Sequence, residues 1–278
     1  MRVFSTGHVR IHPQHEHGSS LPVIFWLMLS RTWGRPRPIN VFVIEHDEGL
    51  VLFDTGQDVA SVSDPDYYPR GGLARMIYRH TARFEISPEE TLTAQLKQLG
   101  YSTSDVRHVV LSHLHQDHIG GLRELVGARF VTTTTEWAAL KKGGSETYGY
   151  LPRHTDLPGA SWERIGFAPT TDPDLAPFDA AHDLFPDGSL VLLPTPGHTP
   201  GSMSMLVRDS ATPLLLVGDL TYDVDLMRAG RYPGIGSRSI LADTTRRVLE
   251  FERRAGRLAI LPAHDPAAAA RLAEATAK

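Results

Sequence analysis

The chain has 278 residues, 41% of them hydrophobic and 22% charged, which excludes a disordered chain and suits a globular one with a sizeable core. Its net charge of −4 excludes the broad basic footprint of a general nucleic-acid binder. The absence of cysteine rules out disulfides, a thiol nucleophile and thiolate metal ligands, so any metal must be held by nitrogen and oxygen.

In chain order, the first feature is His12-Pro13-Gln14-His15-Glu16-His17. With no strand to present these histidines, the segment reads as a solvated loop rather than a metal site. The apolar run Leu21–Leu29 is far shorter than the roughly 20 residues a membrane helix needs. It also lacks the flanks of a signal peptide, and it reads as a buried strand. No membrane span and a cytoplasmic location are therefore expected. Arg31, Arg35 and Arg37 lie among prolines and read as a solvated turn.

Asn40–Glu45 and Leu50–Phe53, joined by His46-Asp47-Glu48-Gly49, predict a hairpin whose second strand ends in Asp54-Thr55-Gly56. Residues 57–86 show no periodicity and read as an irregular lid or binding segment. At Ser87-Pro88-Glu89-Glu90 a cap, a proline at the first position and a capping-box glutamate predict a helix start. Leu92, Leu96 and Leu99 continue it at helical spacing, and Gly100 ends it.

A strand over Val106–Ser112 delivers His113-Leu114-His115-Gln116-Asp117-His118, four potential ligands in six residues. Desolvating such a group without a cation is costly. Gly120-Gly121 then lets the chain turn close to the ions. After a second irregular segment, 135–180, strands are expected at Leu190–Leu193, Ser202–Val207, Leu214–Val217 and Leu258–Leu261. Helices are expected at Ile240–Arg254 and Ala267–Lys278. His198, Asp219 and His264 follow three of those strands. Each is weak alone, but with the hexapeptide they form an ordered series of ligands at strand ends. The element order fits one α/β domain over 1–278, two mixed sheets packed face to face with helices outside.

These motifs resemble the metallo-β-lactamase-fold hydrolases: HxHxDH at 113–118, DTG at 54–56, the PGHTPGS region at 196–202, GD at 218–219 and the late His264. The resemblance implies an αβ/βα four-layer sandwich with its site at the sheet edges. It also implies two divalent ions, zinc first, with iron, manganese or cobalt able to enter an all-N/O site. His113, His115 and His198 would hold one ion, and Asp117, His118 and His264 the other, with Asp219 bridging. Asp54 would orient a ligand histidine; its alternative reading is a turn residue capping its own backbone.

Within that superfamily the chain most resembles the quorum-quenching N-acyl-homoserine lactonases. The cysteine-using lactamases are excluded, and the diiron oxidases have Glu where His115 stands. Glyoxalase II adds a helical domain for which the 14 residues after His264 are too few. Transfer-RNA 3′-processing nucleases carry a basic arm that is not evident. Tyr222, three residues after Asp219, matches the lactonase tyrosine that points at the substrate carbonyl; otherwise it is a packing aromatic. The implied reaction is lactone opening by a metal-bridging hydroxide, with Tyr222 on the oxyanion and Asp117 as proton shuttle. The acyl chain would lie in an apolar groove walled by Leu21–Leu29, Tyr67, Tyr68, Met76 and Trp137. Alternatives are a phosphotriesterase or arylesterase of this fold, or a catalytically silent binding protein. The partner is a small lactone or ester, no nucleic acid is involved, and a homodimer is left open.

Overall fold

The chain carries strands that are apolar on both faces. In Arg37–His46, Phe42 and Ile44 face one way and Val41 and Val43 the other, and all four are buried. Side chains alternate along a strand, so such a segment needs cover on both sides. The computed structural model describes residues 1–208 and 210–277 and supplies that cover as four layers.

The elements of the first half are β1 (Arg2–Ile11), α1 (Pro13–His17), α2 (Val23–Leu29), β2 (Arg37–His46), β3 (Gly49–Phe53), α3 (Ala60–Ser63), α4 (Gly72–Thr81) and β4 (Ala82–Glu85). They are followed by α5 (Leu92–Gln98), β5 (Val106–Val110), α6 (Gln116–Ile119), β6 (Arg129–Thr133), α7 (Thr134–Lys141) and β7 (Ser161–Ile165). The second half holds β8 (Ala168–Pro169), β9 (Ala180–Asp183), β10 (Leu190–Pro194), β11 (Met203–Val207) and β12 (Leu214–Gly218). It closes with α8 (Val224–Arg228), α9 (Arg238–Ala255), β13 (Ala259–Pro262) and α10 (Ala268–Thr276).

One sheet has the order β4-β1-β2-β3-β5-β6-β7 and the other β13-β12-β11-β10-β9-β8. Both are mixed: β3, β5, β6 and β7 run parallel, as do β12 and β13, and the remaining pairs are antiparallel. The central core lies between the sheets, where Phe42, Phe53 and Val110 meet Leu192, Met205 and Leu216. Leu92 and Leu96 of α5 and Leu140 of α7 cover the outer face of the first sheet. Leu241, Val248 and Phe251 of α9 cover the second. This is the expected αβ/βα sandwich.

The hairpin, the four later strands and the helices at Ile240–Arg254 and Ala267–Lys278 fall where the pattern put them, within a few residues; Lys278 lies outside the described residues. The capping box at Ser87 and Glu90 forms, but it closes a 3₁₀ turn, and Thr91 caps the α-helix proper by accepting from the Ala94 amide. Leu21–Leu29 is not a buried strand. It is α2, started at Pro22, burying Trp26 and Leu27 and leaving Phe25 57% and Leu29 69% exposed. Among the described residues no strand pairs with it, and only a helix satisfies its own backbone groups. Residues 57–86 hold α3, α4 and β4 rather than irregular chain, with Ala74 and Tyr78 burying one face of α4. Strand β1, with Arg, Ser, Thr and His among its apolar residues, has no clear sequence signal, yet it pairs with both β2 and β4. Among the described residues no helix is long and apolar enough to cross a membrane.

Candidate metal centre and substrate cavity

The parallel strands β3 and β5 end side by side, and the loops leaving them meet those leaving β10, β12 and β13. Asp54 follows β3 with φ 62, the left-handed backbone that aspartate tolerates better than most residues. Its carboxylate accepts from the Ser112 amide at 2.7 Å, the Ser112 hydroxyl at 2.8 Å and His118 Nδ1 at 2.8 Å. Its side chain therefore braces the histidine loop, and self-capping does not account for it. Where β12 ends, Gly218 has φ 53, and a Cβ there would lie 2.6 Å from Ser112 Cβ, so only glycine lets Asp219 come this close. Gly120 also serves a close approach, but to the backbone of Gln57 and Asp58 rather than to the ligand residues.

The structure brings His113, His115, Asp117, His118, His198, Asp219 and His264 together. The outer nitrogens of three rings are tied to the scaffold. His118 Nδ1 donates to Asp54, His264 Nδ1 to the Pro38 carbonyl at 2.9 Å, and His115 Nε2 to the Tyr148 carbonyl at 2.9 Å. This fixes the tautomer and leaves the other nitrogen of each ring for the interior. Among the described residues, His113 Nε2, His118 Nε2 and Asp219 Oδ1 are buried and make no well-formed hydrogen bond.

The donors form three overlapping groups: His113–His115–His198, His113–His118–Asp219 and Asp117–His118–His264. The ligand atoms of each group lie within 4.8 Å of one another. Two ligands on one tetrahedral ion stand about 3.3–3.5 Å apart. Asp219 Oδ1 is 3.3 Å from both His118 Nε2 and His264 Nε2, whereas Oδ2 is 3.5 Å from His198 Nε2. His264 Nε2 is 3.5 Å from Asp117 Oδ2, and His198 Nε2 is 3.0 Å from His115 Nδ1. Orphaned buried donors at these spacings fit divalent cations.

The electrostatics agree. Burial pushes His113 and His198 well below the usual imidazole range and His115 below it, so these rings stay neutral and able to ligate. Burial would also raise the Asp219 carboxyl, but His264 and His118 outweigh it and hold Asp219 well below the usual carboxylate range. Burial opposes charge on His118 and His264, yet Asp54 and Asp219 raise the first and Asp219 and Asp117 the second. Protons thus collect where a cation would otherwise balance the carboxylates.

Glu136, which the sequence reading missed, links two of the loops. From α7 it is fully buried, accepting from the Leu114 amide at 3.0 Å, the Thr199 hydroxyl at 2.7 Å and the Gly201 amide at 3.0 Å. A glutamate in the first turn of a helix looks like an ordinary helix-start residue, so no local signal marks it.

Above the centre opens a cavity of about 790 Å³ whose floor includes His115, Asp117, His198, Asp219 and Tyr222, and whose walls include Val23, Ile24, Leu27, Leu73, Ile77 and Phe84. The Leu21–Leu29 segment does contribute to the wall, through α2. The other expected wall residues lie elsewhere. Tyr67 and Tyr68 pack on each other beside Tyr78 and Leu151. Trp137 packs on Trp162 outside the first sheet. Met76 lines a separate cavity of about 600 Å³ with Arg31, Arg75, Arg79 and Arg83. The turn of α4 decides this, directing Leu73 and Ile77 toward one cavity and Met76 toward the other.

The histidine-rich N-terminal segment is not a solvated loop. His12 is 1% exposed, with its ring nitrogens 2.7 and 2.9 Å from the carbonyls of Thr32 and His80. His15 is buried with Nε2 3.0 Å from the Tyr222 hydroxyl. Arg37 is likewise buried and paired with Glu16. Strand β1 carries this segment onto the sheet edge, and without it the histidines had no visible anchor. Tyr222 has its ring centre 5.6 Å from that of His264 and 6.5 Å from that of His198. Burial, then the charges of Asp219 and Asp117, push its phenol well above the usual range, so it stays protonated.

A four-layer αβ/βα sandwich with such a donor set at its sheet edges defines a divalent-metal-dependent hydrolase. The chain belongs to the metallo-β-lactamase superfamily, whose family description matches residues 34–264. It is 32% identical over 240 residues, 82% of each chain, to the N-acyl homoserine lactonase AttM of Azorhizobium caulinodans. In structure it is similar to an N-acyl homoserine lactone hydrolase solved with N-hexanoyl-L-homoserine at its catalytic metal centre. The TM-score is 0.73 at 20% identity, over 95% of this chain and 92% of that one. It is also similar to AidC, a dizinc quorum-quenching lactonase, with TM-score 0.64 at 15% identity over 95% and 87% of the two chains.

Proposed function

We propose that the chain is a single hydrolase domain, residues 1–278, that opens N-acyl-homoserine lactone rings at a dinuclear centre. The observation carrying this reading is the Asp219 carboxylate, with Oδ1 facing His118 and His264 and Oδ2 facing His198, beneath an apolar cavity that Tyr222 borders. AttM and the two structural neighbours above are lactonases, and none of these observations favours the phosphotriesterase, arylesterase or binding-protein alternatives.

His113, His115 and His198 would hold one ion and Asp117, His118 and His264 the other, with Asp219 between them. Two divalent ions, zinc in the first instance, would polarise the lactone carbonyl and acidify a water toward neutral pH. The chain's own groups do the rest. Tyr222 donates a hydrogen bond from its hydroxyl to the carbonyl oxygen as negative charge builds there. Asp117, half-buried at the cavity floor, takes the proton that the attacking water loses and passes it to the departing ring oxygen. Val23, Ile24, Leu27 and Ile77 take the acyl tail and exclude water from it.

The test is a panel of acyl-homoserine lactones assayed with metal-reconstituted protein and a His115→Ala control, alongside elemental analysis. Ring opening by the wild type, its loss in the control and about two metals per chain are expected. A metal-loaded protein that opens no lactone of any chain length would sink the reading. A cytoplasmic location remains part of the proposal, checked by cell fractionation, and sedimentation decides between a monomer and a homodimer.

A further inference from the structure

A tyrosine hydroxyl can donate or accept, and its hydrogen rotates freely about the C–O bond. Its value to a carbonyl therefore depends on what occupies its other side. In this chain the Tyr222 oxygen lies 3.0 Å from His15 Nε2, with the two rings edge to face at 5.5 Å. His15 is buried, and Trp26 of α2 packs on its ring at 6.1 Å. The next residue, Glu16, pairs with Arg37. Arg37 Nη1 in turn donates to the backbone carbonyl of Tyr222 at 2.8 Å and to that of His264 at 3.4 Å. One five-residue helix, α1, therefore holds Tyr222 at both ends: the hydroxyl through His15 and the backbone through Glu16 and Arg37.

We propose that His15 is a positioning residue for lactone opening: its Nε2–H donates to the Tyr222 oxygen and thereby turns the Tyr222 proton toward the substrate carbonyl. This rests on the lactonase reading for its consequence, but not for its geometry. Burial lowers His15 to about 4, so the neutral ring has a single N–H to place. With the proton on Nδ1, the bare Nε2 would be left facing the Tyr222 hydroxyl as an acceptor. The Tyr222 proton would then be drawn to Nε2, away from the cavity. The Asp219 carboxylate, which can only accept, draws on the same hydroxyl from the cavity side, so both neighbours are satisfied with the proton on Nε2 and the Tyr222 proton turned away from His15. Tyr222 is then free to donate into the cavity.

Two measurements test this in the metal-loaded protein. The first is ¹⁵N NMR of the His15 ring, identified by its loss in His15→Gln, with the Nε2–H form expected; an Nδ1–H form overturns the proposal. The second is steady-state kinetics on a lactone. His15→Leu is expected to lower kcat by about 10- to 100-fold, the same as Tyr222→Phe, with little change in KM. His15→Gln, whose amide N–H replaces the donor, should recover most of kcat. In the Tyr222→Phe background, His15→Leu should cost nothing further. Equal losses with and without the Tyr222 hydroxyl would mark His15 as mere packing and overturn the proposal. A wild type inert on every lactone would instead refute the lactonase reading, while the NMR measurement would still decide how His15 meets Tyr222.

Discussion

The Asp54 carboxylate accepts a 2.8 Å hydrogen bond from His118 Nδ1, with both side chains buried. That bond sets the His118 tautomer, so that the Nε2 lone pair stands 3.3 Å from Asp219 Oδ1, where the two would share a cation. In Asp54→Asn the amide nitrogen must face either His118 or the Ser112 amide, and both are donors. Zinc affinity at one of the two sites should fall about 10- to 100-fold, read by competition with a chromophoric chelator. Wild-type affinity at both sites would show that Asp54 does not orient His118.

Glu136 joins the loops bearing His115 and His198 through the Leu114 amide, the Thr199 hydroxyl and the Gly201 amide. Truncation to alanine strands those buried donors. Each loses its partner in a place water reaches poorly, so Glu136→Ala should destabilise the metal-free protein by about 2–4 kcal/mol. Urea unfolding of the chelated protein measures it. A midpoint within error of the wild type would mean the loops hold one another without Glu136.

The parts of this molecule that could be read from sequence are those with local signals. The hexapeptide at 113–118 and the strand-ending Asp219 and His264 announce themselves, because apolar runs frame them and few other roles fit. The same is true of β2 and β3, continuous apolar runs on either side of a turn, and of the long helix α9, where one period persists for many residues. Glu136, His15 and Arg37 were out of reach for the opposite reason. Their partners, Thr199, Tyr222 and Glu16, are chosen by tertiary packing, and nothing adjacent in the chain betrays the pairing. The expected cavity walls failed at Met76, Trp137, Tyr67 and Tyr68 because hydrophobicity marks a residue for burial without saying on which side of its element.

Ile77 of α4 lines the cavity beyond the metal centre. Ile77→Trp adds bulk there without touching a candidate ligand. A long acyl tail should lose contact with about two methylenes, at about 0.8 kcal/mol each, which corresponds to roughly a 15-fold higher KM. Short-chain lactones should keep their kcat and KM. Kinetics on a chain-length series measures this, and a uniform loss across all lengths would place the acyl tail elsewhere.

Acid weakens the fold through a buried histidine away from the metal centre. His154, 5% exposed in the 3₁₀ turn Pro152–His154, packs on Tyr67 with ring centres 4.4 Å apart, and its Nε2 lies 3.2 Å from the Tyr67 carbonyl. Burial, then the charges of Arg123 and Arg153, lowers it from 6.5 to about 4. The Tyr67 carbonyl and Asp64 oppose the shift without reversing it. Between those two values the unfolded chain binds a proton that the folded chain refuses. Stability therefore rises with pH across that window and is lost as pH falls from about 6.5 toward 4. Replacing His154 with Gln removes the proton site from both states. The wild type should lose about 1–3 kcal/mol more than His154→Gln between neutral pH and pH 4, read from urea midpoints at matched ionic strength. The comparison with the variant matters because His15, His113 and His198 are also held low by burial and add to the common slope. Parallel stability profiles for the two proteins would mean that His154 takes up its proton in the folded state as readily as in the unfolded one.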